Sequence, residues 1–374
     1  MDYTILGMRE VVNILKNNTN YISDGIDARI KGFRVVETFN NDTGYNQILI
    51  HDVADLSPFG FDLKGTFESG QCFRWREVGG NRYFGIVKGK AVTVWTVDNK
   101  HLQIENATME DFVEIWHAYF DLSTDYGPII EAVDKDPFLH ASVMFSGGAR
   151  MLCQDFEETL FSYILSAQNN IPRIKKLVET LCANFGDKIY RDSDIGKGSD
   201  IGSVKNSNIF DVAGDKSLEF QPPELLGYSF PSAEILSRHF CTRTHANCCS
   251  KNLCGHQFAG YRCPYIRGTA QMLSNDTVAL DFDLLGNNSA KVARKELCRF
   301  PGVGEKVADC VLLYSGIRKD ICPIDTWVEK TIKSNYVGPD ASKNEIRAFS
   351  ENYFGRYAGY AQLWFFNYAR NFEK

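Results

Sequence analysis

The stretch FPGVGEKVADC, residues 300–310, decides how the C-terminal part of this chain folds. Before it, SAKVARKELCRF (289–300) has helical periodicity and runs into a proline, and after it EKVADCVLLYSGI (305–317) begins a second helix. The Pro-Gly-Val-Gly between them predicts a tight helix-hairpin-helix turn. Unpaired N–H groups and the positive dipole end of the second helix favour a phosphate oxygen, so the turn is typical of a DNA-backbone contact that reads no sequence. An ordinary turn between packed helices is the alternative.

Lys306 and Asp325 point to chemistry beside this turn. Lys306 lies in the first turn of a helix, where the dipole disfavours a cation, and Cys310 shares its face four residues on. Asp325 in PIDTW (323–327) precedes a further helix and suits a capping position, which taken alone is the simpler interpretation. An amine and a carboxylate near a bound phosphodiester are, however, the groups needed for displacement at the anomeric carbon of a nucleotide sugar.

The composition favours a soluble intracellular protein. Its 374 residues are 44% hydrophobic and 24% charged, with no apolar run long enough for a membrane span and no signal-peptide core at the start. Eleven cysteines, an odd number, indicate mostly free thiols in a reducing compartment. The net charge is -6, but residues 289–374 hold 14 Lys and Arg against 10 Asp and Glu, an excess of basic residues suited to a phosphate-facing region.

The chain divides into three parts, and the predicted class is α+β. Residues 1–45 are polar and predict an N-terminal extension; residues 46–150 predict an antiparallel β-sheet domain; residues 151–374 predict two helical subdomains containing the hairpin, with inserts at 192–218 and 239–259. The β-prone segments between 47 and 107 are QILIHDV, FDLKGTF, CFRWREV, YFGIVKG, AVTVWTV and HLQIENA. Two amphipathic helices follow, at 155–168 and 171–186.

The motifs together resemble the helix-hairpin-helix, Gly/Pro-rich loop and Asp superfamily of DNA glycosylases, in the lysine-bearing branch typified by 8-oxoguanine DNA glycosylase. The segments that carry the resemblance occur in that family's order: SGQCFRW (69–75), SAQNNIPRI (166–174), GYRCPYI (260–266), LCRFPGVGEKVADC (297–310), PIDTW and YAGYAQLWFF (357–366). They extend from about residue 47 to the C-terminus. The resemblance implies a base excision repair enzyme that flips out and excises 8-oxoguanine paired with cytosine, and then cleaves the strand as an AP lyase.

The resemblance also implies roles for single residues. Lys306 matches the lysine that attacks C1′ and holds the sugar as a Schiff base, and Asp325 matches the aspartate that stabilises the oxocarbenium-like state. Gly70 matches the residue whose carbonyl accepts the N7 hydrogen of 8-oxoguanine. The matched base-pocket residues are Cys310 and Phe366, which sandwich the base, and Gln362, which reads its Watson–Crick edge. The matched DNA-contacting residues are Gln168, Asn169, Arg173, Tyr261 and Arg262, with Gly302, Val303 and Gly304 of the hairpin.

Two positions depart from the family's pattern. Trp327 stands where animal members usually have histidine, and Gln168 stands where they have asparagine, so we expect looser selectivity for the opposite base. Two other functions stay open on the sequence: a related glycosylase for other damaged bases, and a non-catalytic helix-hairpin-helix DNA-binding protein. The latter needs neither Lys306 nor the SGQCFRW segment.

A cysteine- and histidine-rich insert has no counterpart in the family. Its candidate metal ligands are Cys241, Cys248, Cys254 and Cys263. No CxxC or CxxH pair is present among them, so we do not expect zinc. We expect no required cofactor, with a monovalent cation at the hairpin as an alternative. The expected partner is damaged double-stranded DNA and the expected state is a monomer with no membrane contact, located with the DNA in a bacterial cytoplasm or nucleoid, or in a nucleus.

Overall fold

The N-terminal part of the protein is one antiparallel sheet of eight strands. The computed structural model describes residues 19–22, 25–191, 224–240, 259–275 and 280–372. The strands lie in the order β1-β2-β3-β4-β8-β7-β6-β5. Their bounds are Thr19–Ile22 (β1), Gly25–Ile30 (β2), Phe33–Asn40 (β3), Tyr45–Ile50 (β4), Trp75–Gly79 (β5), Arg82–Val87 (β6), Lys90–Val97 (β7) and His101–Glu105 (β8). A second, two-stranded sheet pairs Lys188–Tyr190 (β9) with Leu225–Tyr228 (β10).

Helices make up most of the described residues outside the two sheets, which confirms the α+β class. Their bounds are Leu63–Glu68 (α1), Met109–Asp111 (α2), His117–Tyr119 (α3), Gly127–Val133 (α4), Pro137–Ser146 (α5), Phe156–Ser166 (α6), Ile171–Phe185 (α7), Ala233–His239 (α8), Cys263–Ser274 (α9), Phe282–Asn287 (α10), Ala290–Leu297 (α11), Glu305–Tyr314 (α12), Thr326–Ile332 (α13), Lys343–Tyr353 (α14) and Ala358–Phe372 (α15). A π-helical segment, Phe112–Trp116, joins α2 to α3, and another, Lys333–Val337, follows α13.

One segment predicted as a strand is a helix. FDLKGTF contains α1, whereas the other five β-prone segments fall on β4 to β8. The apolar residues Phe61, Leu63 and Phe67 alternate with period two, which suggested a strand. Leu63 and Phe67 are also four residues apart, and as a helical pair they are both buried in the sheet's core. A run of seven residues does not distinguish the two periods.

The sheet begins before residue 46, where the sequence placed its first residue. Strands β2 and β3 lie within the segment predicted as an extension, and β3 pairs with β4 across that limit. Val35 of β3 is opposite Ile50 of β4, and both side chains are fully buried. Only alternate residues of these strands face the core, so the segment has a polar composition, and this composition wrongly suggested an extension without a sheet. Residues 1–18, 192–223 and 241–258 lie outside the described part of the chain, and with them most of both predicted inserts.

Two hydrophobic cores support the fold. One lies under the sheet and includes Trp75 and Trp116; the other fills the helical part and includes residues from Tyr126 onward, so α4 and α5 pack with the helices that follow residue 150. The hairpin of α11 and α12 belongs to the second core. Arg294 of α11 donates to Asp309 of α12 at 2.6 Å, and the Asp309 side chain is fully buried. This ion pair fixes the two helices on either side of the glycine turn.

Candidate active site

A pocket of about 340 Å³ lies where four parts of the chain meet. They are the turn after α1, the connection between α6 and α7, the hairpin with the start of α13, and the C-terminal helix α15. Its wall includes five of the residues predicted from the sequence: Gly70, Asn169, Lys306, Asp325 and Phe366. Among these five, Gly70 and Phe366 are 296 positions apart in the sequence and share one cavity.

Lys306 reaches this pocket from the second position of α12. Its Nζ lies 5.1 Å from the centroid of the Tyr163 ring, within range of a cation–π contact. Cys310, one helical turn further, is 3% exposed and lies behind the pocket wall. Burial raises the pKa of the Cys310 thiol to about 12, although Lys306 opposes the shift, so the thiol is neutral at pH 7. Of these two side chains, that of Lys306 lines the pocket, and the neutral Cys310 thiol is buried next to it.

Asp325 both caps a helix and lines the pocket. It is the N-cap residue of α13, and its carboxylate accepts the backbone N–H of Val328 at 2.8 Å. The cap holds the carboxylate in one orientation, on the same pocket wall as Lys306. The simpler interpretation of this aspartate and the catalytic one are therefore both compatible with its position.

Gly70 also lines the pocket. Its φ is +85°, and a Cβ added there would lie 2.8 Å from Ile171 Cδ1. Both the conformation and the space require glycine. The Gly70 carbonyl accepts a hydrogen bond from the Tyr163 hydroxyl at 2.9 Å.

Gln362 and Phe366 lie on α15, one turn apart. Phe366 is part of the pocket wall, whereas Gln362 is 3% exposed and accepts a hydrogen bond from the Tyr314 hydroxyl at 3.1 Å. Gln362 thus lies below the pocket surface, with its amide oxygen already oriented by Tyr314.

Of the predicted DNA-contacting residues outside the pocket wall and the hairpin, three are exposed and one is buried. Gln168 is exposed with φ +55°, Arg173 is exposed and Tyr261 is 45% exposed. Arg262 is only 6% exposed, and its Nε donates to the Ala167 carbonyl at 3.1 Å. Its guanidinium therefore supports the α6–α7 connection in this structure instead of extending outward.

The hairpin turn leaves the start of α12 uncovered. Gly302 has φ +80°, and a Cβ there would lie 2.7 Å from Tyr265 Cβ. Gly304 is the N-cap residue, supplies no side-chain cap and has no atom within 4 Å of an added Cβ, while Val303 is buried. Exposed N–H groups at the start of a ten-residue helix are suited to a phosphate oxygen.

The sequence did not single out Tyr163 or Arg370, which also line the pocket. Arg370 lies one turn beyond Phe366; its Cζ is 5.4 Å from the Phe366 ring, and its Nη1 donates to the Glu68 carbonyl at 3.1 Å. Burial lowers the pKa of this guanidinium, and Asp325 opposes that shift. The i+4 spacing from Phe366 was the available signal for Arg370. Trp327, noted as a departure from the family, lines the pocket as well.

Only one of the four metal candidates lies within the described residues. Cys241, Cys248 and Cys254 lie outside the described ranges, and Cys263 is fully buried in the helical core. Across the part of the chain that the structure describes, no cluster of three or more His, Cys, Asp or Glu side chains is arranged to hold a metal ion. Within the same ranges, no helix combines the length and apolar character needed to cross a bilayer.

The sheet, the hairpin and the shared pocket of Lys306 and Asp325 are the features expected of a helix-hairpin-helix DNA glycosylase, and the comparisons with known proteins agree with this class. The family model described as 8-oxoguanine DNA glycosylase, N-terminal domain, matches residues 54–160. The structure is similar to that of MBOgg1 in complex with a low-affinity DNA ligand (33% identity, TM-score 0.71, covering 88% of this chain and 96% of that one). It is also similar to the Clostridium acetobutylicum 8-oxoguanine glycosylase/lyase in complex with DNA containing cytosine opposite 8-oxoG (30% identity, TM-score 0.69, 94% and 100%).

A sequence relative is the probable N-glycosylase/DNA lyase of Methanothermobacter thermautotrophicus, 27% identical over 325 residues that span 83% of this chain and 94% of that protein. The identity and coverage of the two solved structures establish the family. The chain belongs to the 8-oxoguanine DNA glycosylase family.

Proposed function

We propose that this protein excises 8-oxoguanine from double-stranded DNA and then cleaves the strand at the abasic site by β-elimination. The observation that carries the proposal is the placement of Lys306, Asp325 and Gly70 on the wall of one pocket next to an uncapped helix-hairpin-helix turn. The activity is that of the curated and solved relatives, whose names are N-glycosylase/DNA lyase and 8-oxoguanine glycosylase/lyase.

The chemistry follows from the two charged groups. The amine of Lys306 adds to C1′ of the flipped nucleotide as the C1′–N9 bond breaks, and the bond's electron pair leaves with the base, which takes up a proton. The Asp325 carboxylate stabilises the positive charge that develops on the sugar. The C1′–O4′ bond then opens with its electron pair going to O4′, a proton passes from the amine nitrogen to O4′, and the nitrogen lone pair forms the C=N bond of the Schiff base. Removal of a C2′ proton then expels the 3′-phosphate.

Recognition divides between the hairpin and the pocket. The N–H groups at Gly304 and the first turn of α12 hold a backbone phosphate, which positions the strand without reading its sequence. Phe366 stacks on the extruded base, and the Gly70 carbonyl accepts its N7 hydrogen, which guanine lacks. The space that the extruded nucleotide leaves in the duplex, and the opposite base, are contacted by Gln168, Asn169, Arg173 and Tyr261. The base pocket is completed from below by Gln362 and Cys310.

We further propose that the enzyme works as a monomer, in the compartment that holds the DNA, without a cofactor. The Lys306 amine supplies the nucleophile, so the mechanism does not call for a metal-activated water.

A set of four DNA substrates that differ in the opposite base tests the proposal. Duplexes carrying 8-oxoguanine opposite each of the four bases are cut under single-turnover conditions by the wild type and by Lys306→Gln, and base release and strand cleavage are measured separately. We expect release and cleavage by the wild type, with cytosine among the accepted opposite bases. Failure of the wild type to release 8-oxoguanine from any of the four duplexes would contradict the proposal.

A further inference from the structure

Tyr163 holds the Gly70 carbonyl in a fixed contact. The Tyr163 hydroxyl donates to Gly70 O at 2.9 Å, and both residues line the pocket. The ring itself cannot turn away, because it stacks on Tyr314 with centroids 5.6 Å apart at 16° and meets Phe73 edge-on at 5.4 Å. The Tyr163 residue is 3% exposed. The hydroxyl is therefore aimed at the carbonyl by packing that does not depend on a bound base.

The Tyr163 hydroxyl also stays a donor at any working pH. Burial raises the pKa of the Tyr163 phenol well above its ordinary value, and the nearby Cys310, Tyr314, Cys72 and Asp325 act in the same direction. The Lys306 Nζ lies 5.1 Å from the centroid of the Tyr163 ring. A backbone carbonyl has two lone pairs, so one can accept from Tyr163 while the other accepts from a base.

We propose that the Tyr163 hydroxyl is a specificity-determining group that shares the Gly70 carbonyl with the lesion, so that the pocket also accepts C8-modified purines without an N7 hydrogen. The inference rests on the proposed function, in which that carbonyl reads the N7 position. A base without the N7 hydrogen displaces water and offers the carbonyl no donor. In a pocket without the hydroxyl, the carbonyl would then be buried unpaired; with Tyr163 present it keeps one hydrogen bond.

The size of the effect follows from the cost of one unpaired buried acceptor. That cost corresponds to a roughly 5- to 150-fold change in relative rate. Removing the hydroxyl should therefore sharpen discrimination by about that factor. A lesion that brings its own N7 hydrogen loses little, because it replaces the missing donor.

The experiment compares 8-oxoguanine with 8-bromoguanine, each opposite cytosine. Both carry a substituent at C8 and share a Watson–Crick edge, but only 8-oxoguanine has the N7 hydrogen. Single-turnover excision is measured for the wild type and Tyr163→Phe. We expect the wild type to release both bases, and the 8-oxo to 8-bromo rate ratio to rise about fivefold or more in Tyr163→Phe. A ratio that stays constant or falls overturns the inference, as does a wild type that releases 8-oxoguanine but no 8-bromoguanine.

Tyr314→Phe is the matched control. It removes a hydroxyl next to Tyr163 that donates to Gln362 and does not contact Gly70, so both rates should change together and their ratio should hold. If Tyr163→Phe is less stable, the excision rates of 8-oxoguanine and 8-bromoguanine fall by the same factor, so their ratio can still be compared with that of the wild type. A wild type that releases 8-oxoguanine but no 8-bromoguanine overturns the inference whether or not that variant folds. If the wild type does not release 8-oxoguanine, the proposed function itself is rejected.

Discussion

The Asp325 carboxylate accepts the backbone N–H of Val328 at 2.8 Å while it lines the pocket with Lys306. Asparagine caps helices about as well as aspartate but carries no charge. Asp325→Asn should therefore keep the thermal midpoint of the wild type, while single-turnover excision falls about 100-fold or more because charge stabilisation is lost.

Asp325→Ala is the companion variant, since it removes both the cap and the charge. We expect it to lose about 1 kcal/mol of unfolding free energy in addition to the rate. Excision by Asp325→Asn at the wild-type rate would show that the aspartate is a capping residue only.

Gly70 should not tolerate even a methyl group. Its φ of +85° costs an L-residue about 1–2 kcal/mol, and the added Cβ would also lie 2.8 Å from Ile171 Cδ1. Gly89 is the control, because it has φ +79° and no atom within 4 Å of an added Cβ. We expect Gly70→Ala to cost more unfolding free energy than Gly89→Ala and to lower excision at least tenfold, about 1.4 kcal/mol of barrier. Equal stability losses with full activity in both variants would refute the close packing.

The buried Arg294–Asp309 pair should dominate the stability of the hairpin. Asp309→Ala leaves the buried Arg294 guanidinium without its 2.6 Å partner and with only Glu351 at 3.8 Å, and we expect a loss of about 3–5 kcal/mol in urea unfolding. Glu305→Ala, on the same helix, removes an exposed pair with Arg347 and should cost less than about 1 kcal/mol. Similar losses in the two variants would contradict the difference in burial.

His117 should make stability fall in mild acid. Burial, assisted by the charge of Lys31, lowers the pKa of His117 from 6.5 to about 4. Between these values the unfolded chain binds a proton that the folded protein does not, so stability is lost as pH falls from about 6.5 towards 4. The urea midpoint of unfolding is measured for the wild type and His117→Phe from pH 7 to 4. Over that window the midpoint of the wild type should fall more steeply with decreasing pH than that of His117→Phe. Parallel curves would show that His117 makes no contribution.

What the sequence predicts well is local. The helix-hairpin-helix turn follows from Gly302 and two helical periods, and Asp325 follows from its place before α13. What it does not predict depends on packing between distant segments. The Tyr163 hydroxyl meets Gly70 across 93 positions, and Arg262 turns inward to Ala167 across 95. Neither contact has a signature in the residues around it. Strands β2 and β3 were missed for a related reason, since their burial is created by pairing with β4.

Borohydride trapping tests the central claim, that the Lys306 amine becomes covalently attached to the sugar. The wild type, Lys306→Gln and Lys330→Gln are incubated with a duplex containing 8-oxoguanine opposite cytosine in sodium borohydride, which reduces a Schiff base to a stable amine. Lys330, whose Nζ lies 5.5 Å from the Trp327 ring, is a nearby lysine outside the proposed mechanism. The account predicts a trapped protein–DNA adduct for the wild type and Lys330→Gln and none for Lys306→Gln. An adduct that persists in Lys306→Gln, or base release by the wild type without any adduct, would contradict it.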